Sequence, residues 1–91
     1  MSDEWITYML ECADGSIYTG VTNNLDKRID AHNNGTGAKY TKGRRPVRLI
    51  FKEFYPDRST AQSRETQLKQ LSKKQKLMLI SKSARQYQSC L

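Results

Sequence analysis

Cysteine, histidine and long apolar runs are scarce in this 91-residue chain. The two cysteines, Cys12 and Cys90, lie near opposite ends without CxxC spacing, which predicts ordinary thiols and argues against a disulfide framework or a zinc site. There is no long apolar run, lipidation signal or signal peptide, and the amino-terminal segment Met1–Glu4 is polar apart from the initial methionine. We therefore expect a cytoplasmic protein without membrane association.

Basic side chains are what the sequence has in excess. Sixteen Lys and Arg stand against nine Asp and Glu, which gives a formal net charge of +7. The basic residues extend from Lys27 to Arg85. Such a charge indicates a polyanionic partner, and nucleic acid fits better than a membrane surface. Charge alone does not identify a function, because many small basic proteins bind nothing specific.

Hydrophobic periodicity predicts three strands and three helices within a single domain. Strands are predicted at Glu4–Cys12, Ser16–Thr22 and Val47–Tyr55, and helices at about Leu25–Asn33, Thr60–Leu71 and Lys73–Lys82. The order β-β-α-β-α-α predicts an α+β fold, in which about three helices pack on a three-stranded antiparallel sheet. The third strand has apolar residues on both faces, which favours a central position.

Signals at the element ends complete this prediction. Asn23 or Asn24 can cap the first helix, and two SxxQ sequences, at Ser59–Gln62 and Ser72–Gln75, are typical of capping boxes. The stretch Gly35–Pro46 has no period and is predicted to be a long loop. We assign residues 1–82 to the domain and expect residues 83–91 to form a polar, frayed tail.

Ionisable residues occupy positions where the helices should be apolar. At 100° per residue, His32 falls with Leu25 and Ile29, and Arg28 lies at the edge of the same stripe. Glu65 falls near the middle of the next helix's stripe. Such groups need partners or a wet cleft. They form either an Arg28–Glu65 ion pair that joins two helices or a polar pocket between the helices and the hairpin.

The register of the predicted hairpin decides whether two tyrosines reach this pocket. With a two-residue loop, Tyr8 and Tyr18 would lie on opposite faces of the sheet. With a three-residue loop that ends in a left-handed Gly15, Tyr8 pairs near Gly20 and Tyr18 near Leu10, so both rings share one face. Each tyrosine taken alone is also typical of a half-buried sheet residue.

These residues together resemble the GIY-YIG nuclease superfamily, and most closely its small, stand-alone bacterial branch. The resemblance covers Trp5 to about Ile80 and includes the stretches CADGSIYTG, AHNNGTGAKYT and LKQLSKKQK. Ile6-Thr7-Tyr8 and Tyr18-Thr19-Gly20 stand at the two triplets that name the superfamily, and Gly20 would permit close approach of the backbone. Many members carry a further Asn late in the domain, whereas no Asn follows Asn34 here.

The resemblance implies hydrolysis of DNA phosphodiester bonds by an endonuclease that is structure-selective or weakly sequence-specific, in repair or recombination. Glu65 would hold one Mg²⁺ or Mn²⁺ ion. Tyr8 would act as the general base with help from His32. Tyr18 would bind the attacking water or the phosphate, and Arg28 would stabilise charge on the phosphoryl oxygens.

The predicted long loop supplies the expected nucleic-acid surface. Positive charge and one aromatic ring are combined there in Lys39, Tyr40, Lys42, Arg44, Arg45 and Arg48. The expected substrate is branched, nicked or single-stranded DNA, and RNA is the alternative substrate. The sequence indicates no particular protein partner. A second basic run, Lys69, Lys73, Lys74 and Lys76, is expected to be a solvated helix face outside the site.

Two other functions remain open at this point. One is a non-catalytic module that keeps the fold and binds DNA or RNA, and the other is a protein-binding adaptor in which the inward polar set is structural. Stability separates the last of these from a metal site, because a domain that relies on a buried Glu65 pair should unfold when Glu65 is replaced.

Overall fold

Strands and helices follow one another in the predicted order. The computed structural model of the protein describes residues 4–89, with side chains for residues 4–82, so the predictions for Met1, Ser2, Asp3 and Cys90 lie outside the described residues. The elements are β1 (Trp5–Glu11), β2 (Ile17–Thr22), α1 (Leu25–Asn33), α2 (Lys39–Lys42), β3 (Arg48–Tyr55), α3 (Arg58–Lys69) and α4 (Lys73–Ser89). The α+β fold is thus confirmed.

The three strands form one antiparallel sheet in the order β2-β1-β3. β1 occupies the centre, so the expectation that the third strand is central was wrong. β3 has apolar residues on both faces, but Phe54 stays 54% exposed at this edge of the sheet. A strand with two apolar faces therefore need not be central.

The hairpin between β1 and β2 has the three-residue loop that places both tyrosines on one face. Tyr8 pairs with Gly20 and Leu10 pairs with Tyr18, as predicted. Gly15 has a φ of 84°, in the left-handed region that a glycine adopts without a steric penalty. The Asp14 carboxylate also accepts a hydrogen bond from the backbone N–H of Ser16, at 3.0 Å.

Helices cover both faces of the sheet and leave β2 at an edge. On one face Tyr8, Leu10, Cys12 and Val47 are buried, and Leu25 and Ile29 of α1 pack against them. On the other face, Met9, Phe51 and Leu68 form the buried centre of a second cluster, to which α3 and α4 contribute. Side chains of α1 and α3 can therefore approach one another around the β2 edge. Cys12 is a free, buried thiol.

The helix ends confirm some of the predicted capping residues and correct others. Asn24 caps α1, since its side chain accepts a hydrogen bond from the N–H of Lys27 at 3.2 Å. Ser72 and Gln75 form the predicted reciprocal capping box, at 2.9 and 3.1 Å. The capping box at Ser59 was wrong. Ser59 lies inside α3, because the Asp57 carboxylate caps that helix two residues earlier.

Two further differences concern helix extent. α2 lies inside the stretch predicted to be a loop, and α4 continues to Ser89, past the predicted end at Lys82. Residues 83–89 lack an apolar stripe, but their Ala, Arg and Gln have high helix propensity. Periodicity therefore missed this segment, and the division of the chain at residue 82 stays a prediction.

The hydroxyl of Thr7 connects α3 to the central strand. Thr7 is fully buried, and its Oγ1 donates to the Ala61 carbonyl at 2.8 Å.

Replacing Thr7 by Val removes this buried hydrogen bond, so we expect the free energy of unfolding to fall by about 1 kcal/mol in urea denaturation. Thr66 makes the matched exposed contact, to the Gln62 carbonyl at 3.1 Å. Thr66→Val should change stability by less than about 0.5 kcal/mol, and equal losses in the two variants would contradict this role of Thr7.

Candidate active site

A buried hydrogen bond joins Tyr8 of β1 to His32 of α1. Both residues have no exposed surface, and Tyr8 Oη lies 3.0 Å from His32 Nε2. His32 occupies the inward stripe of α1, as its spacing indicates. A tyrosine hydroxyl and an imidazole nitrogen in such contact can pass a proton between them.

Gly20 makes room for the Tyr8 hydroxyl. A Cβ atom at Gly20 would lie 2.6 Å from Tyr8 Oη and 3.0 Å from Cε2 of Tyr18, which is too close for either ring to stay in place. Tyr18 is the second aromatic residue of this group, with ring centroids 6.3 Å from Tyr8 and 5.1 Å from His32. The two tyrosines and His32 thus form one group that depends on a bare backbone at position 20.

Arg28 of α1 interacts with Tyr8 and Tyr18. A hydrogen bond between the Arg28 side chain and Tyr8 raises the pKa of Arg28, so the guanidinium remains charged. Burial raises the pKa of Tyr8 from 10.0 to about 12, although Arg28 acts against this shift. Burial, together with the Arg28 charge, lowers the pKa of His32 below 6.5. At neutral pH the resting pair is therefore a phenol and a neutral imidazole.

Glu65 of α3 lies close enough to Tyr8 to act on it electrostatically. Its carboxylate contributes to the raised pKa of Tyr8, which requires proximity, and it pairs with Lys69 at 3.2 Å. The Glu65 side chain is 22% exposed. Among the ion pairs of the described residues, none joins Arg28 to Glu65, so that alternative was wrong. Lys69, one turn further along α3, supplies the nearer cation.

The sequence of this chain matches a known protein family. Residues 4–78 match the family model described as the GIY-YIG catalytic domain. The chain belongs to the GIY-YIG family. This is a nuclease family, and the match covers every one of the five residues that the sequence predicts for the site.

Relatives of this GIY-YIG protein are small bacterial proteins. A UPF0213 protein of Clostridium perfringens is 61% identical over 74 residues, which cover 81% of this chain and 80% of that protein. A UPF0213 protein of Staphylococcus saprophyticus is 49% identical over 79 residues, which cover 87% of this chain and 96% of that protein. The UPF0213 protein BH0048 of Bacillus halodurans, solved by NMR in solution, is 45% identical with a TM-score of 0.56, covering 86% and 83%. These names state no substrate or reaction.

Thr41 contacts the candidate site and was not singled out from the sequence. It lies in α2, is fully buried, and places its Oγ1 2.8 Å from His32 Nδ1. The same hydroxyl donates to the Ala38 carbonyl at 3.0 Å. The backbone N–H of Ala38 also lies 3.4 Å from His32 Nδ1, but this is the longest of the three contacts. We therefore assign the Thr41 hydroxyl proton to the Ala38 carbonyl, so that Thr41 Oγ1 accepts from His32 Nδ1–H. His32 Nε2 then lacks a proton and accepts from the Tyr8 hydroxyl.

Close packing brings the segment around Thr41 onto His32. A Cβ atom at Gly37 would lie 2.5 Å from His32 Nδ1, so this position also needs a bare backbone. Periodicity could not find these contacts, because Gly37 lies outside any regular element and α2 is a single turn. The available signal was the small residue Gly37 near a threonine that follows the only histidine of the chain.

Glu65 is the candidate ligand for a divalent metal ion. In the part of the chain that the structure describes, no three His, Cys, Asp or Glu side chains group into a metal site. Glu65 instead offers a single, partly exposed carboxylate. Mg²⁺ is commonly held by one or two carboxylates, several waters and substrate phosphates, so a lone, partly exposed carboxylate fits this ion.

The basic residues predicted for nucleic acid do not form one cluster. Tyr40 is 40% exposed, lies 5.9 Å from Tyr18 between ring centroids, and has the Arg44 guanidinium 4.2 Å above its ring. Lys42 and Arg45 line a cavity of about 500 Å³. Lys39 is exposed on α2. Arg48 lies on β3, away from β2, and pairs with Glu11 at 2.6 Å. Tyr40 and Arg44 thus border the site beside Tyr18, Lys42 and Arg45 line a separate cavity, and Arg48 occupies another part of the sheet.

No helix in the described part of the chain has the length and apolar character needed to span a membrane. The expected cytoplasmic location stays a prediction.

The protonation state of His32 can be read directly, because the chain contains one histidine. We expect the ¹⁵N NMR signals of its imidazole to report the Nδ1–H tautomer at neutral pH and a pKa below 6.5. Thr41→Val removes the acceptor for Nδ1–H and should shift the tautomer balance, whereas Thr41→Ser should restore it. A wild-type Nε2–H tautomer, or a His32 pKa above 6.5, would contradict this arrangement.

Proposed function

We propose that this protein is a divalent-metal-dependent endonuclease that hydrolyses phosphodiester bonds of DNA, selecting DNA structure or a loosely defined sequence. The observation that carries the proposal is the buried Tyr8–His32 hydrogen bond of 3.0 Å, beside the charged groups of Arg28 and Glu65. A purely structural pair would not need a charged guanidinium and a carboxylate that both act on Tyr8. Membership of a nuclease family supports the same conclusion.

Tyr8 and His32 would together accept the proton of the attacking water. The raised pKa of Tyr8 makes a resting phenolate unfavourable at neutral pH, so Tyr8 needs a group that takes its own proton. His32 Nε2 is that group, because the lowered pKa of His32 keeps the imidazole neutral. As water gives a proton to Tyr8 Oη, the Tyr8 proton passes to Nε2. The water oxygen bonds to phosphorus, and the bond from phosphorus to the leaving oxygen breaks.

The remaining site residues would stabilise the phosphate group. Arg28 is positively charged and adjacent to Tyr8, so its guanidinium can bind the phosphoryl oxygens. Tyr18 lies beside both members of the proton-accepting pair and can orient the water or a phosphate oxygen. Glu65 would hold Mg²⁺ or Mn²⁺, and the bound ion would neutralise charge on the scissile phosphate and the leaving oxygen.

Substrate DNA would enter over the segment between α1 and β3. Tyr40 offers an exposed ring next to Tyr18, and Arg44 is stacked on it, so a base or a phosphate can be bound within reach of the site. Lys39, Lys42 and Arg45 add positive charge. A role in DNA repair or recombination would follow from a preference for nicked or branched DNA.

Replacing Glu65 separates this proposal from its alternatives. Purified protein should cut or nick plasmid, flapped or branched DNA with Mg²⁺, and Glu65→Ala should lower the rate by at least about a hundredfold. DNA binding should be retained. Because Glu65 pairs only with a half-exposed lysine, its replacement should change the free energy of unfolding by less than about 1 kcal/mol.

The outcomes assign the alternatives as well. Equal cutting by Glu65→Ala and the parent protein would overturn the proposed role of Glu65. Salt-sensitive binding without Mg²⁺-dependent cleavage of any DNA or RNA in the panel would identify a non-catalytic binding module. Unfolding of Glu65→Ala would favour the structural reading. The matched control is Glu53→Ala, which removes a partly buried carboxylate of β3 paired with Arg64 of α3 at 2.8 Å and should leave cleavage unchanged.

A further inference from the structure

The geometry points to a second phosphate-binding subsite, a groove between β2 and the start of α4 that holds the backbone of the nucleic-acid strand continuing from the cleavage site. This subsite rests on the proposed function, because the strand is the one bound at Tyr18 and Glu65. Its lysines belong to the run that sequence patterning assigns to a solvated helix face.

The groove consists of two adjoining openings that share Ile17, Tyr40 and Lys76. The first, of about 320 Å³, is also lined by Asp14, Ser16 and Lys73. The second, of about 300 Å³, is also lined by Tyr18, Thr19 and Lys69. Tyr18 belongs to the candidate active site, and Lys69 contacts Glu65 at 3.2 Å. The groove is therefore continuous with the site.

The charge along the groove favours a polyanion. Lys69, Lys73 and Lys76 all line it, and the first two come from different helices, α3 and α4. Asp14 is the acidic residue at its far end, but Arg44 neutralises that carboxylate at 3.0 Å. Lys73 extends over the hairpin loop, since its Nζ is 3.9 Å from where a Cβ of Gly15 would be. The net positive charge thus runs along the whole length of the groove.

An unsatisfied hydroxyl lies at the floor of the second opening. Thr19 is 3% exposed, and its Oγ1 has no hydrogen-bond partner among the residues that the structure describes. A buried hydroxyl without a hydrogen-bond partner lowers the stability of the folded protein. Such hydroxyls are unusual unless a ligand supplies the missing partner. An oxygen of a strand bound in the groove would supply an acceptor for this hydroxyl.

Tyr40 gives the groove an aromatic wall. Its ring is 40% exposed and lines both openings, next to Tyr18. Phosphate-binding lysines that follow an aromatic ring are typical of surfaces that track a nucleic-acid backbone while a base rests on the ring. The shared chemistry of the ligand is the phosphodiester backbone, whether from DNA or RNA.

Two pairs of lysine variants test the groove. Lys73→Ala/Lys76→Ala removes two charges that line it, and Lys74→Ala/Lys82→Ala removes two exposed charges from the same helix outside it. Binding is measured by fluorescence anisotropy in EDTA, with labelled DNA and RNA oligonucleotides of one sequence, single-stranded and duplex, over a range of salt concentrations.

The groove pair should weaken binding about twentyfold near 0.1 M salt and reduce the slope of log K against log salt concentration by about 1.4 for single strands. The control pair should leave both nearly unchanged. Equal effects of the two pairs, or no binding by the parent protein, would overturn the subsite. A difference confined to DNA or to RNA oligonucleotides would identify which backbone the groove binds.

Thr19→Val tests the floor of the groove independently of charge. It should weaken binding about threefold to tenfold without changing the salt slope, while the melting temperature stays equal or rises because an unsatisfied buried hydroxyl is removed. Unchanged binding would remove Thr19 from the subsite. Because these measurements contain no Mg²⁺, the groove can fail while cleavage by the parent protein succeeds, and cleavage can fail while groove binding succeeds.

Discussion

The site depends on the buried hydrogen bond between Tyr8 Oη and His32 Nε2. Two polar side chains without exposed surface are costly unless each is fully paired. The neighbouring sequence meets that requirement with a bare backbone at Gly20, which leaves space for the phenol, and a hydroxyl at Thr41, which accepts from the other imidazole nitrogen. Burial also separates the two pKa values, raising that of Tyr8 and lowering that of His32. The resting protein therefore holds the proton on Tyr8 and keeps His32 ready to accept it.

Much of the fold could be predicted because local signals agree with one another. Gly15 determined the hairpin loop length, and the loop length determined that Tyr8 and Tyr18 share a face. The polar residues on the inward stripes of α1 and α3 indicated that something other than an apolar core lies there. The prediction of the α3 cap was wrong because two possible capping residues lie close together in the sequence. Ser59 matched a capping box, but the Asp57 carboxylate is better placed to cap α3.

Other features could not be predicted, because they depend on how separate elements meet. Arg28 of α1 and Glu65 of α3 have opposite charges, yet Glu65 pairs with Lys69 one turn away on its own helix. Thr41 reaches His32 only because a short helix folds back on α1. The groove lysines follow no inward stripe, and their common position emerges only when α3 and α4 both approach the edge of β2.

The central claim is that His32 takes the proton of Tyr8 during the reaction, and the pH dependence of single-turnover DNA cleavage tests it most directly. From about pH 5 to about pH 9, with saturating Mg²⁺, the rate should rise as His32 loses its proton, at a pKa below 6.5, and then stay level. A neutral His32 is needed to accept the proton, so activity is lost as the pH falls through that pKa. A rate that instead rises tenfold per pH unit up to pH 9 would contradict the account. It would indicate that the reaction requires a Tyr8 phenolate formed beforehand, with the pKa of about 12 that burial gives this residue.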